Sequence, residues 1–210
     1  MSQEKAKSLI KAAYVLQLRH GPFTENEFEE YALQSDLSQL LASGFLAEED
    51  EAGVKRYSLT GKGRNQIRVV LAGGVYDVLH LGHLAAVEEA KSFGDVLVVV
   101  VATDVTVEML KGRKPLFPEK DRQALVAGLK PVDKAILGYE DVGFGFEQVL
   151  MEVMPNIVAF GYDQENLEKT VREIIERHNL NIRMVKLSKF DHEKYASSSS
   201  ARQKLSEELR

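Results

Sequence analysis

The 210-residue sequence contains no cysteine and no long apolar run. Without cysteine the chain has no disulfide bonds, no zinc–thiolate site and no cysteine nucleophile, and nothing indicates an oxidising compartment. The longest apolar stretch, around Val96 to Ala102, is far shorter than the roughly 18 to 20 residues that cross a membrane. The first residues also lack the apolar core and small-residue cleavage site of a signal peptide. We therefore expect a cytoplasmic protein that has no membrane partner.

An excess of positive charge is also missing. The formal net charge is −5, so the composition provides no global basic surface for nucleic acid or for an acidic membrane. Hydrophobic residues make up 44% of the chain and charged residues 28%, which is the balance of an ordinary globular protein. The length suffices for one large domain or two small ones.

The first third of the chain, residues 1–66, has the pattern of three helices followed by a hairpin. The second helix, 24–32, opens with a capping box, and the third, 35–44, starts at a Ser/Asp cap and stops at a glycine. The hairpin turns at residues 51–53. This order predicts a small winged helix-turn-helix-like domain, and residues 57–63 resemble the wing end of that family.

The composition of this domain weighs against DNA as its partner. Residues 1–66 contain eight Lys or Arg and ten Asp or Glu, which leaves a net charge of −2. The candidate recognition helix, 35–44, has no Lys or Arg and carries Asp36. Because lysine and arginine supply most of the affinity for phosphates, we place protein contact or a structural role ahead of DNA binding.

Residues 67–210 alternate apolar runs with helical patterns. Such alternation predicts an α/β fold, a Rossmann-like, doubly wound, five-stranded parallel sheet with helices on both faces. Folds of this kind bind ligands at the carboxyl ends of their strands. The predicted strands are 67–72, 95–103, 134–137, 157–160 and 182–187, and the predicted helices are 81–93, 119–129, 146–153, 165–178 and 200–208.

The stretch GGVYDVLHLGH, residues 73–83, follows the first strand of this sheet. Two glycines allow a ligand to approach the backbone closely. His80 and His83 are three residues apart and project from one face of a helical turn. A helix N-terminus attracts anions, so two imidazole donors there suit phosphoryl oxygens. A zinc site would need a third ligand, and no other histidine or acid motif supplies one convincingly.

Residues 74–83 match Gly-x-x-Asp-x-x-His-x-Gly-His, and this stretch resembles the signature of the cytidylyltransferase-like nucleotidyltransferases of the HIGH superfamily. Tyr76 stands where that family usually has Phe, and Val75 where it often has Thr or Ser. The resemblance implies that His80 and His83 are catalytic and stabilise the triphosphate as pyrophosphate leaves. The nucleotide-binding residues that it implies in this stretch are Gly73, Gly74, Val75, Tyr76, Asp77 and Gly82.

Basic residues further along fit the same resemblance. Lys111 and Arg113 lie where the family binds substrate phosphates, and Lys114 is implied as a catalytic cation. Arg122 resembles the arginine of the family's Glu-x-Arg element and is also implied as catalytic. From the residues alone, each of these cations is equally explained as part of a solvated charged surface.

Two later segments resemble nucleotide-binding elements of the family. Gly161, Tyr162 and Asp163 end the fourth strand, where relatives have a Gly-x-Asp element near the base and ribose. Ser198, Ser199 and Ser200 precede the last predicted helix, where relatives have a Ser/Thr-rich phosphate motif. The alternatives are an ordinary turn for the first segment and a serine linker for the second.

The resemblance implies a direct in-line reaction. A phosphate oxygen of the acceptor attacks the nucleotide α-phosphorus and pyrophosphate leaves, so positioning and charge stabilisation carry the catalysis. Mg²⁺ bound mainly to the triphosphate is the expected cofactor. The expected partners are ATP or CTP and a phosphorylated small-molecule acceptor, and we expect a homodimer.

The acceptor follows from a closer resemblance to archaeal FAD synthetases, carried by residues 129–135, 161–164 and 189–192. It implies transfer of AMP from ATP to FMN. The chain departs from that family by its extra N-terminal domain and its missing C-terminal cysteines. The alternatives are CTP with glycerol 3-phosphate, as in the similar cytidylyltransferases, and a winged-helix regulator that senses a nucleotide.

Overall fold

The computed structural model describes residues 1–141 and 145–189, and contacts between Cα atoms divide the chain into two units, Met1–Arg68 and Val69–Arg210. The division lies two residues beyond the boundary expected from the sequence. Within the described residues no helix is both long enough and apolar enough to span a bilayer.

The first unit contains helices followed by a hairpin. Its elements are α1 Gln3–Gln17, α2 Glu25–Phe28, α3 Gln34–Ala42, β1 Leu46–Glu51, β2 Val54–Leu59 and α4 Gly61–Arg64. The strands β1 and β2 pair antiparallel around a two-residue turn at Ala52 and Gly53, both with positive φ. A core of Phe23, Phe28 and Tyr57 rings fastens the hairpin to the helices.

The structure differs from the prediction at the end of α2 and at the start of α3. The capping box of Thr24 and Glu27 is present, but α2 ends after one turn. Helix α3 begins before the predicted Ser/Asp cap, because Leu33 is the N-cap and the carboxylate of Asp36 accepts its N–H at 3.1 Å. Asp36 is buried and also pairs with Lys5.

The second unit has the predicted α/β architecture. Its elements are β3 Val69–Gly74, α5 Leu81–Ser92, β4 Val96–Val101, α6 Asp104–Lys111, α7 Glu119–Ala127, β5 Lys134–Leu137, α8 Gly145–Val153, β6 Ile157–Phe160, α9 Glu165–Arg177 and β7 Arg183–Lys186. The strands form one parallel sheet in the order β5-β4-β3-β6-β7. Strand β4 is buried along its whole length, as its valine-rich sequence predicts. The predicted fold class is therefore confirmed.

The structure corrects two local predictions in this unit. Gly73 and Gly74 are the last residues of β3 and not a turn after it. Helix α6, residues 104–111, was missed as an element, and Lys111 is its last residue and not part of a loop. The predicted helix 200–208 lies outside the described residues.

The strand order reverses between β3 and β6. After β3 the chain forms β4 and β5 along one edge of β3, and it later forms β6 and β7 along the opposite edge. This reversal is the point at which open α/β sheets bind ligands. Residues 73–83 start at this edge.

Candidate nucleotidyl-transfer site

The two histidines lie together at the N-terminus of α5. His80 is the N-cap residue and His83 is in the first turn, so their rings stack with centroids 3.9 Å apart. The side chain of His80 makes no capping hydrogen bond. The N-terminus of this 12-residue helix therefore carries two imidazoles and no acidic residue. Its positive dipole end and the imidazole N–H groups favour the binding of an anion.

Burial favours the neutral form of both imidazoles in the ligand-free protein. Burial lowers the pKa of His80. Burial, together with the nearby charges of His80 and Lys111, lowers the pKa of His83 to about 4, against a smaller opposing effect of a hydrogen bond to the Val78 backbone. Within residues 1–141 and 145–189, the buried Nδ1 atoms of both histidines find no hydrogen-bond partner. Buried polar atoms normally have partners, so this pair is prepared for a ligand atom.

Tyr76 packs against the His83 ring. Its ring is buried and lies 5.1 Å from the His83 ring, between centroids, and burial raises the pKa of its hydroxyl. A Cβ on Gly74 would stand 2.9 Å from the Tyr76 ring, whereas a Cβ on Gly73 would meet only ordinary contacts at 3.6 Å or more. The structure gives Gly74 and Tyr76 a packing role, and their expected nucleotide contacts stay predictions. Because Gly74 has no side chain, the Tyr76 ring can pack next to it and contact His83.

Asp77 acts on a neighbouring segment. Its carboxylate is buried, and its Oδ1 accepts the backbone N–H groups of Leu116 at 2.6 Å and Phe117 at 3.2 Å. Arg113 approaches the other oxygen at 3.8 Å. These contacts fix residues 111–118, here called the basic segment, against the signature loop of residues 75–80. The nucleotide contact expected of Asp77 stays a prediction.

Arg122 makes a second tie between the same segments. Its side chain is fully buried and donates to the carbonyls of Phe117 and Val75 and, at 2.7 Å, to the carboxylate of Asp104. These contacts indicate a positioning role in the ligand-free protein, and the expected catalytic role of Arg122 stays a prediction. A guanidinium that is turned inward and bonded on three sides positions the signature loop, the basic segment and α6.

Two of the three cations of the basic segment face solvent. Lys111 and Lys114 are exposed, and Arg113 is half-buried beside Asp77. Lys111 is close enough to His83 to lower its pKa. The structure thus brings the basic segment and the histidine pair together at one end of the sheet, where several positive groups can surround a phosphate chain.

Residues 71–204 match the model of the cytidylyltransferase-like family. The chain belongs to this family. A FAD synthase of Thermoplasma acidophilum is 44% identical over 138 residues, which cover 66% of this chain and 94% of that protein. A FAD synthase of Thermoplasma volcanium is 43% identical over the same share of each chain.

A solved structure shows the same fold. It is a Thermoplasma volcanium protein described as a lipopolysaccharide core biosynthesis protein, and it is 42% identical with a TM-score of 0.55. The match covers 60% of this chain and 99% of that one. All of these matches concern the part of the chain that carries the histidine pair, and the family resemblance seen in residues 74–83 is confirmed.

At the end of β6 this cytidylyltransferase-like chain has a residue whose role the sequence did not reveal. Gln164 accepts the N–H of Gly161 at 2.7 Å and donates to the carbonyl of Gly73 at 2.9 Å, so its amide bridges the ends of β6 and β3. The signal available in the sequence was its place at the end of a strand, in the stretch 161–164 that resembles archaeal FAD synthetases. Tyr162 and Asp163 are exposed next to this bridge, and Lys189 lies over the Tyr162 ring.

Two expected features remain without a structural assignment. Ser198, Ser199 and Ser200 lie outside the described residues. Among residues 1–141 and 145–189, no group of three or more His, Cys, Asp or Glu side chains is arranged to hold a metal ion.

Proposed function

We propose that this chain transfers AMP from ATP to FMN and thereby forms FAD and pyrophosphate. The observation that carries the proposal is the stacked pair of neutral histidines at the N-terminus of α5, on the ligand-binding edge of a parallel sheet. The FAD synthases that are 43 to 44% identical to this part of the chain support ATP and FMN over CTP and glycerol 3-phosphate.

The reaction needs little covalent help from the protein. An oxygen of the FMN phosphate attacks the α-phosphorus of ATP, a new P–O bond forms, and the bond to the β-phosphate oxygen breaks as pyrophosphate leaves. The attacking phosphate is already anionic, so no general base is required. Catalysis then consists of alignment and of donors aimed at the charge on the transferring group.

His80 and His83 are the donors that we assign to the triphosphate. A neutral imidazole offers one N–H, and a bound phosphate chain raises the pKa of an adjacent histidine, because the nearby negative charge favours the protonated form. Lys111, which is close enough to His83 to lower its pKa, and Lys114, exposed in the same segment, provide positive charge for the departing pyrophosphate or for the acceptor phosphate.

Mg²⁺ is proposed as a companion of the nucleotide. This ion prefers oxygen ligands and is usually bound through substrate phosphates and few protein groups. Asp77, the acid of the signature, already accepts two backbone N–H groups, so we assign no protein ligand to the metal. The homodimer and the cytoplasmic location stay predictions.

A substrate matrix tests the proposed function. ATP and CTP are each combined with FMN, glycerol 3-phosphate and phosphocholine, and released pyrophosphate is measured. We expect release with ATP and FMN. Release only with CTP and glycerol 3-phosphate would contradict the acceptor and the nucleotide together. A gel-shift assay on random DNA at low salt accompanies it, because DNA binding without pyrophosphate release is the result that a regulator would give.

Replacement of His83 tests the assigned donor. We expect His83→Ala to lower kcat more than tenfold, the usual loss for one charge-stabilising donor. His20→Ala is the control, because His20 is an exposed histidine in the other unit. Near-normal turnover of His83→Ala would contradict the role of the pair.

A further inference from the structure

Two exposed apolar side chains belong to the segment that Asp77 fastens to the signature loop. Leu116 and Phe117, in the basic segment, are 56% and 45% exposed. Apolar side chains gain free energy when they leave water, so a neighbouring exposed pair on an ordered surface calls for an explanation.

The backbone beneath this pair is fixed and not loose. Asp77 accepts the N–H groups of both residues, and Arg122 donates to the carbonyl of Phe117 at 2.9 Å. Both anchors are themselves buried. Loops on the surface are usually mobile, whereas the backbone of these two residues is held in one place while their apolar side chains stay in water.

The neighbours of the pair are cations. Arg113 and Lys114 precede it in the same segment, and Lys111 lies close enough to His83 to lower its pKa. Met109 and Leu110, near the end of α6, are also exposed, at 65% each. The basic segment therefore presents phosphate-binding groups and an apolar surface side by side.

A ligand that matches both the cations and the apolar side chains of the basic segment carries a phosphate at one end and a flat, largely apolar ring system at the other. We propose that Leu116 and Phe117 form the platform for the isoalloxazine ring of the acceptor, with its phosphate held by the adjoining cations. This inference rests on the proposed function. Glycerol 3-phosphate and phosphocholine have no flat ring and would leave the pair in water.

The test measures binding of FMN separately from catalysis. Leu116→Ala and Phe117→Ala remove side chains only, so the backbone hydrogen bonds to Asp77 and Arg122 remain. Leu125→Ala is the matched control, because Leu125 on α7 is 52% exposed and lies outside the basic segment. Titration of FMN, followed by its own fluorescence in the absence of ATP, gives the Kd for each protein.

We expect Phe117→Ala to weaken FMN binding about tenfold, in the range found when an aromatic partner of a stacked ring is removed. Phe117→Tyr should bind like the wild type, because it keeps the ring. In steady state, the KM for FMN should rise for Phe117→Ala and Leu116→Ala while the KM for ATP stays unchanged. Leu125→Ala should match the wild type in all measurements.

The outcomes separate this inference from the proposed function. If the wild type uses FMN and both alanine variants keep its Kd and KM, the platform is wrong and the function stands. If the variants instead change only the sedimentation of the protein, a second copy of the chain covers the pair, and the platform is again wrong. If the wild type neither binds FMN nor releases pyrophosphate with it, the proposed function fails first.

Discussion

At the scale of single residues, the two glycines that end β3 differ in what they permit. Gly73→Ala should be tolerated, because the new Cβ would meet ordinary contacts at 3.6 Å or more. Gly74→Ala should displace the Tyr76 ring, which stands 2.9 Å from the position of that Cβ and supports His83. Overpacking of this kind costs about 1–3 kcal/mol. Thermal unfolding and turnover of the two variants provide the measurement.

The comparison is informative because the substitutions are chemically identical and adjacent. We expect Gly74→Ala to lower Tm and kcat, and Gly73→Ala to change neither by much. Equal losses would show that a ligand approaches both glycines and that the tyrosine is not the reason for Gly74.

The pKa of His83 makes ligand binding depend on pH. In the free protein this pKa is about 4, below the ordinary value of 6.5. Because the folded state lowers it, the contribution of His83 to stability is present above about pH 6.5 and is lost as the pH falls towards 4. A bound triphosphate reverses the effect, since negative charge favours the imidazolium.

We therefore expect the protein to take up protons when it binds ATP near pH 5.5. Calorimetry in buffers of different ionisation enthalpy measures this uptake. His83→Asn is titrated in the same buffers, so that protonation of ATP itself cancels in the difference. An uptake that is equal in both proteins would place the proton elsewhere.

At the scale of elements, Arg122 connects parts of the chain that are distant in sequence. It joins the signature loop through Val75, the basic segment through Phe117 and the start of α6 through Asp104. Arg122→Met should lose about 3 kcal/mol of stability, because it leaves the buried carbonyls and part of a carboxylate without a partner. Arg122→Lys should lose less, since it keeps the charge but not the three-sided geometry.

Denaturant unfolding of the second unit, with KM for both substrates, separates positioning from catalysis. A positioning role predicts that both KM values rise as the basic segment shifts. A fall in kcat at unchanged stability and unchanged KM would instead restore Arg122 as a catalytic cation.

The strands of the sheet could be predicted from the sequence because burial on both faces leaves continuous apolar runs. Lys134–Leu137 and Ile157–Phe160 match the prediction at both ends. Helix α6 could not be predicted in the same way. It has only eight residues and begins three positions after the end of β4, so it offers little periodicity to detect.

The candidate site also has features that could be predicted from the sequence and features that could not. The histidine pair could be predicted because its spacing on one helical turn is local. The contacts of Asp77 with Leu116 and of Arg122 with Val75 join residues that are 39 and 47 positions apart. Such pairings depend on how the strands are ordered, which no local pattern encodes. Gln164 was missed for that reason as well.

At the scale of the whole molecule, the family match and the first unit occupy different parts of the chain. The match spans residues 71–204, whereas the first unit ends at Arg68. Helix α3 of that unit has no Lys or Arg, and its single acid, Asp36, is buried and paired with Lys5 at 2.7 Å. The surface of that helix is thus neutral, which leaves it without the cations that phosphates attract.

The second unit should therefore perform the reaction alone. The 138 residues that match the Thermoplasma acidophilum FAD synthase cover 94% of that protein, so a chain of this length suffices for the fold. We expect residues 69–210 to keep kcat for ATP and FMN within about threefold of the full chain, because the charge-stabilising donors are retained. The same fragment with His83→Ala controls for background activity. A fragment that is folded by circular dichroism but inactive would show that the first unit contributes to catalysis.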